Sequence, residues 1–268
     1  MTSQPLIVLA HGSRHPEAHK TISRIAAAVG GRAAFLDFSP WTLSAVAKDL
    51  SEQGHTRAIV VPLLFTNAFH LNSDVPNAVD EASAVSKMEL SVTAGLGTGD
   101  DVAGAVARGL LSQWGAGDES DTPSALNAHQ TTPQAGQVID LVLYAVGSTT
   151  PGANESVRQL AHTVAGHLAT QGAGRLKVAS ATAVFATGPG STGVAAVHKA
   201  VESATNPVVS PLFVAEGLLW DKVEDAARAG ELSNVTVGQP LGELVAPLVL
   251  QRASTINFPS LGNQLKGA

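Results

Sequence analysis

The pattern of residues 5–114 starts again at residue 138, and that repetition constrains the fold more than any single motif. In the first half, short apolar runs rich in branched side chains alternate with stretches of helical periodicity. This predicts strands near 5–10, 33–38, 57–64 and 89–94 and helices near 16–29, 41–53, 75–86 and 100–114. Gly30-Gly31 and Gly54 fall at helix ends, where a left-handed cap suits glycine.

Residues 116–137 are dominated by Gly, Asp, Glu, Ser, Thr, Pro and Gln and read as a linker. Beyond it, strands are expected near 138–145, 176–184, 207–213 and 234–238, and helices near 153–171, 191–204, 216–229 and 241–253. Three landmarks recur in the same order. Ala145-Val146-Gly147-Ser148 stands where Ala10-His11-Gly12-Ser13 stood, Pro211-Leu212-Phe213 echoes Pro62-Leu63-Leu64-Phe65, and Leu241-Gly242 echoes Leu96-Gly97. The expected fold class is α/β: two similar lobes related by internal duplication, each a four-stranded parallel sheet flanked by helices. Residues 1–115 form the first lobe, 116–137 the linker, 138–253 a degenerate repeat lobe and 254–268 an irregular tail.

Composition narrows the function. A chain of 268 residues with 44% hydrophobic content has ample material for a large core. It has no cysteine, so disulfides, thiolate metal sites and iron-sulfur clusters are excluded, and any metal must be held by nitrogen or oxygen. No apolar run approaches the roughly 20 residues of a membrane span, and no basic segment precedes an apolar signal core. A cytoplasmic protein without a membrane partner is expected. The net charge of −6, with scattered lysines and arginines, argues against nucleic acid as a partner. An anionic ligand would need a locally positive site built from helix amino termini and a few arginines.

Ligands of open parallel sheets bind at the carboxyl ends of the strands. His11 directly follows the apolar run 6–10, and His70 lies in the polar loop after the run 57–64, so the two face one cleft if those strands are neighbours. In the second half Val146 takes the place of His11, and Leu218 lies near the place of His70. The first lobe is therefore expected to carry the chemistry and the second to close the cleft. Neutral imidazole is the commonest ligand for first-row transition metals, and two imidazoles without a thiolate leave most coordination positions open. Such a site holds metal loosely enough to pass it on.

The combination of His-Gly-Ser-Arg at 11–14, Pro-Leu-Leu-Phe at 62–65, His70, and Asp74-Val75-Pro76 four residues on resembles the class II tetrapyrrole chelatases, specifically the sirohydrochlorin chelatases. The duplicated layout is similar to that of the long bacterial members, and the resemblance spans roughly residues 5–253. The loop before His70 reads Thr-Asn-Ala-Phe where the family is usually richer in glycine.

The resemblance implies a lyase that inserts Co²⁺ or Fe²⁺ into sirohydrochlorin or a related acidic tetrapyrrole, with loss of two pyrrole protons, for siroheme or cobalamin synthesis. The metal is then a substrate, and no tightly bound cofactor is expected. By motif match His11 and His70 carry the metal-binding and proton-accepting roles. One imidazole nitrogen cannot ligate a metal and accept a proton at once, so the two exchange roles.

Ser13 and Arg14 either hold the macrocycle's carboxylates at a helix amino terminus or serve as helix cap and surface charge. Phe69 is assigned to the macrocycle face, whereas Phe65 suits the core. Asp74 either orients His70 or caps the following helix, the cap being favoured. Asp37, at the end of the second strand, points towards the cleft, where a plain cap or loop role is favoured over tuning of metal delivery. His15 and His19 lie four apart, a possible metal pair on a helix, and His55, His129, His162, His167 and His198 are expected to face solvent. A duplicated chain has less need to dimerise, so a monomer is expected.

Two other readings compete with the chelatase: a metal or tetrapyrrole carrier without turnover, and a hydrolase using His-Gly-Ser as a nucleophile loop. The hydrolase lacks the Gly-x-Ser-x-Gly elbow. Gly95-x-Gly97-x-Gly99 lacks the rest of a dinucleotide fingerprint.

Overall fold

The branched apolar runs are strands and the periodic stretches are helices. The structure, a computed structural model, describes residues 4–66, 73–115, 136–171, 176–232 and 234–256. In the first lobe β1 (Leu6–Ala10), α1 (Pro16–Ala28), β2 (Arg32–Phe35), α2 (Leu43–Glu52), β3 (Arg57–Pro62), α3 (Val75–Ser86), β4 (Glu89–Val92) and α4 (Asp100–Gly115) alternate strictly. The second repeats the order with β5 (Gln137–Ala145), α5 (Ala153–Gln171), β6 (Leu176–Phe185), α6 (Gly193–Val201), β7 (Pro207–Pro211), α7 (Leu218–Arg228), β8 (Thr236–Val237) and α8 (Ala246–Ala253). The sheets run β2-β1-β3-β4 and β6-β5-β7-β8, all parallel.

The duplication holds at the level of single atoms. Leu9 stands opposite Pro62, and Tyr144 opposite Pro211. Gly12 and Gly147 both follow the central strand with positive φ, 98° and 88°. A Cβ on Gly12 would sit 2.0 Å from the Asp37 carbonyl oxygen, and one on Gly147 2.2 Å from that of Thr187. Only glycine fits such an approach. The neighbouring amides match as well: Asp37 N–H donates to the His11 carbonyl and Thr187 N–H to the Val146 carbonyl, each at 2.8 Å.

Alternation along the strands distributes the core. In β1, Ile7 and Leu9 face a cluster with Leu43, Val46 and Leu50 of α2 and Val75 of α3. Val142 and Tyr144 of β5 face Val197 of α6 and Trp220 and Val223 of α7. The opposite faces of both sheets, including Val8 and Leu141, share one central cluster with Ile22 of α1, Val106 of α4, Leu160 of α5 and Leu248 of α8. Four helices thus fill the space between two sheets, and each lobe lends its last helix to the other. α4 packs along α5, while α8 packs on β3 and α1. Arg252 of α8 secures the exchange. It donates to the carbonyls of Gly95 and Leu96, at 3.1 and 2.5 Å, and pairs with Asp101 at 2.7 Å.

Three expectations are corrected. The second strand ends at Phe35 rather than residue 38, because Phe38 turns left-handed (φ 57°) and the chain folds back so that Phe35 N–H meets the Trp41 carbonyl. The last predicted helix divides into a 3-10 turn at Gly242–Val245 and α8, whose first turn contains Pro247, a residue without the amide needed to continue the earlier register. His167 is not simply solvent-facing: its Nε2 lies 2.8 Å from Asp100 Oδ1 and its Nδ1 2.8 Å from Gln171. Most of the predicted linker and tail, with His129, lies outside the described residues. No described helix is long and apolar enough to cross a membrane.

Candidate functional site

β1 and β3 are hydrogen-bonded neighbours, so the loops after them open on the same side of the sheet. A cavity of about 880 Å³ lies there, between the lobes. His11, Ser13, Arg14 and Leu63–Thr66 line it from the first lobe, and Val146–Thr150, Thr187 and Leu212–Leu219 from the second. Its volume falls in the upper part of the roughly 300–1,000 Å³ span of small-molecule sites.

His11 sits immediately beyond β1, partly buried, at the cavity wall. Its ring stacks against Phe38, with centroids 6.4 Å apart and planes inclined by 25°. Arg14 is exposed, and its guanidinium carbon lies 5.0 Å from the centroid of the same Phe38 ring. Phe38 is thus the spacer between an imidazole and a cation, and the residue is itself left 42% exposed. The side chain of Ser13 accepts from His15 N–H at 3.0 Å and does not cap α1. The cap is His15, whose Nδ1 accepts from Glu17 N–H at 3.2 Å.

His15 and His19 do not form a metal pair. With Nδ1 occupied by the cap, His15 turns Nε2 towards Asp221, 3.6 Å away. His19 lays its ring on Phe35 at 4.4 Å. Asp74 makes no side-chain capping bond and has helical dihedrals, which corrects the favoured cap role. Asp37 accepts the following Phe38 N–H at 2.7 Å, the local loop role. Phe65 packs against the central core and also lines the cavity. His70 and Phe69 lie outside the described residues, as does any relation of Asp74 to His70.

The structure adds residues that sequence patterns do not single out. Phe38 falls at the predicted end of a strand, with no local sign of a role at the cavity. Glu216 belongs to the loop after β7, the counterpart of the loop bearing His70, and its Oε2 accepts from the Thr21 hydroxyl of α1 at 2.7 Å. Extending the repeat from Pro62 and Pro211 aligns it with Asn67, the one signal that points there. On the second-lobe wall, Asn154 ties Ser148 at both backbone groups, donating to its carbonyl at 3.0 Å and accepting its amide at 2.9 Å.

The CbiX family model matches residues 5–112. The chain is 31% identical over 80 residues to a sirohydrochlorin cobaltochelatase of Methanocaldococcus jannaschii, a match spanning 27% of this chain and 56% of that relative's length. Three solved structures share the fold across nearly the whole chain. SirB from Bacillus subtilis with Fe³⁺ is 20% identical, covering 94% of this chain and 95% of its own, with a TM-score of 0.67. SirB from Bacillus subtilis subspecies spizizenii with cobalt is 17% identical, covering 94% of both chains, with a TM-score of 0.63. CbiX, the terminal enzyme of siroheme biosynthesis in denitrifying bacteria, is 19% identical, covering 95% of this chain and all of its own, with a TM-score of 0.64. The match to the CbiX family model thus falls on the lobe that presents His11 to the cavity, while the likeness to the solved chelatase structures extends over both lobes as a likeness of fold.

Proposed function

We propose that the protein is a sirohydrochlorin chelatase that inserts Co²⁺ or Fe²⁺ into an acidic tetrapyrrole, as a monomer in the cytoplasm, serving siroheme or cobalamin synthesis. The observation that carries this reading is the placement of His11 on an interlobe cavity of macrocycle size, beside the exposed cation of Arg14. The M. jannaschii relative supplies the substrate class. Proteins of this fold have been solved with iron and with cobalt, which supports a site that accepts either metal.

In this reading the macrocycle enters between the lobes, with its carboxylates towards Arg14 and Ser13 and one face towards Phe69. His11 and His70 take turns as metal ligand and proton acceptor. A neutral imidazole suits both tasks because its lone pair is available near neutral pH. Water excluded by the closing lobes strengthens each electrostatic contact inside.

The test is an anaerobic absorbance time course of sirohydrochlorin with Co²⁺ or Fe²⁺, comparing wild type, His11→Ala and His70→Ala with the uncatalysed rate. Acceleration that disappears in both variants supports the chelatase. Tight macrocycle binding without acceleration by the wild type overturns it in favour of a carrier.

A further inference from the structure

Insertion of a dication into a free-base tetrapyrrole releases two protons, each from a pyrrole N–H, as the nitrogen lone pairs bond the metal. Two imidazoles that also serve as metal ligands are too few bases for this, because a ligating nitrogen has no lone pair for a proton. A carboxylate facing the cavity would supply a second base while one imidazole is bound to the metal. Among the described residues lining it, the ionisable groups are His11, Arg14, His19 and Glu216, and Glu216 is the only carboxylate. His19 has its Nε2 buried without a partner, shut off from the water that would carry a proton away.

Glu216 is held in place by contacts from the opposite lobe. Thr21 of α1, itself buried, donates its hydroxyl to Oε2 at 2.7 Å, and Arg24 in turn donates to Thr21 Oγ1 at 3.0 Å. The next residue, Gly217, is close enough to the His11 loop that a Cβ placed there would lie 4.0 Å from Ser13 Oγ. The carboxylate therefore stands on the second-lobe wall, on a loop that touches the loop of the first-lobe histidine.

Resting on the chelatase reading above, we propose that Glu216 is a catalytic base supplied by the second lobe, taking one pyrrole proton while an imidazole takes the other. The N–H bond breaks as the nitrogen pair passes to the metal. The proton leaves on a neutral carboxyl group and is then lost to solvent. The second lobe, which has lost both histidines of the repeat, thereby contributes chemistry as well as closure. Thr21 is the positioning residue for that carboxylate.

The experiment measures steady-state insertion of Co²⁺ into sirohydrochlorin by the full chain, with Glu216→Gln, Thr21→Val and Thr21→Ser compared with wild type. Glutamine still accepts the Thr21 hydroxyl but is no base. The expected result is a kcat lower by about 10²-fold, the scale of a general base, with KM for metal and macrocycle within about twofold of wild type. Sirohydrochlorin binding, followed by fluorescence without metal, is expected to be unchanged. Thr21→Val lowers kcat by a smaller factor without moving either KM, and Thr21→Ser restores it. A wild-type kcat in Glu216→Gln overturns the proposal, as does a loss confined to KM for metal, which would make the carboxylate a cation guide. If the wild type itself does not accelerate insertion, the chelatase reading fails and the assignment of Glu216 fails with it. An active wild type beside an unaffected Glu216→Gln removes only the role of Glu216.

Discussion

Replacing Gly12 by alanine tests the link between backbone packing and chemistry, because the same substitution can be made at its structural twin. At φ 98° an L side chain enters a conformation that costs about 1–2 kcal/mol. The new Cβ would lie 2.0 Å from the Asp37 carbonyl oxygen, whereas real Cβ contacts start near 3.0 Å, so backbone must move by about an ångström. Overpacking of that kind adds about 1–3 kcal/mol. A loss of about 2–5 kcal/mol is expected, a large part of the stability of an ordinary domain. Gly147→Ala, with its Cβ 2.2 Å from the Thr187 carbonyl and φ 88°, should cost about the same by denaturant unfolding. The two diverge in activity. The backbone pushed aside by the new methyl group of Gly12→Ala adjoins Phe38, which stacks on His11, whereas Thr187 faces Val146. On the chelatase reading, Gly12→Ala under native conditions is expected to lose most of its insertion rate and Gly147→Ala to keep most of it. A Gly12→Ala protein within about 0.5 kcal/mol of wild type would refute the packing argument, and equal activity losses would refute the asymmetry between lobes.

Phe38→Ala removes a ring contact to His11 worth about 0.5–1.5 kcal/mol; on the chelatase reading the insertion rate should fall a few-fold to about tenfold in steady-state assays. Arg252→Met removes the guanidinium that donates to Asp101 and to two carbonyls, a loss of about 1–3 kcal/mol at neutral pH by urea unfolding. Burial pushes the Asp101 carboxyl up, but the Arg252 hydrogen bond, the Val102 amide and the Arg252 charge outweigh it and hold the group below its ordinary value. A lowered folded-state pKa stabilises above the unfolded value, near 4, and that contribution fades as pH falls through the folded one. The gap between wild type and Arg252→Met should therefore be widest at pH 7 and narrow towards pH 3, and a gap that widens on acidification contradicts the assignment. Residues 1–115 alone lack α8, which covers β3 and α1. Circular dichroism and gel filtration should find that fragment unfolded or self-associated rather than a folded monomer.

Element positions are legible because strictly alternating β and α segments leave strong, separate periodicities, and even the long α5 is bounded correctly from them. The end of β2 is not, since nothing local to Phe38 announces that Gly12 abuts the backbone beside it. Histidine is not among the preferred helix caps, so the role of His15 hides behind Ser13. Glu216 escapes notice because the second lobe stands out for the histidines it has lost. The exchange of α4 and α8 is illegible for a general reason: periodicity shows which face of a helix is apolar but not which sheet will cover it. The cleft at the ends of β1 and β3 follows from the sequence, and His11 is where the motif places it.

The exchanged helices also set a timetable for synthesis. The first sheet has all its strands once the ribosome has passed residue 92, yet α8, residues 246–253, is needed to cover β3. About 150 residues separate the two points, roughly 8–30 s at ordinary translation rates of about 5–20 residues per second. Throughout that interval α1 covers part of the inner face of the first sheet, while β3 lacks the helix that packs on it. Exposed apolar surface of that kind is prone to aggregation, and the central core is complete only when α8 joins it.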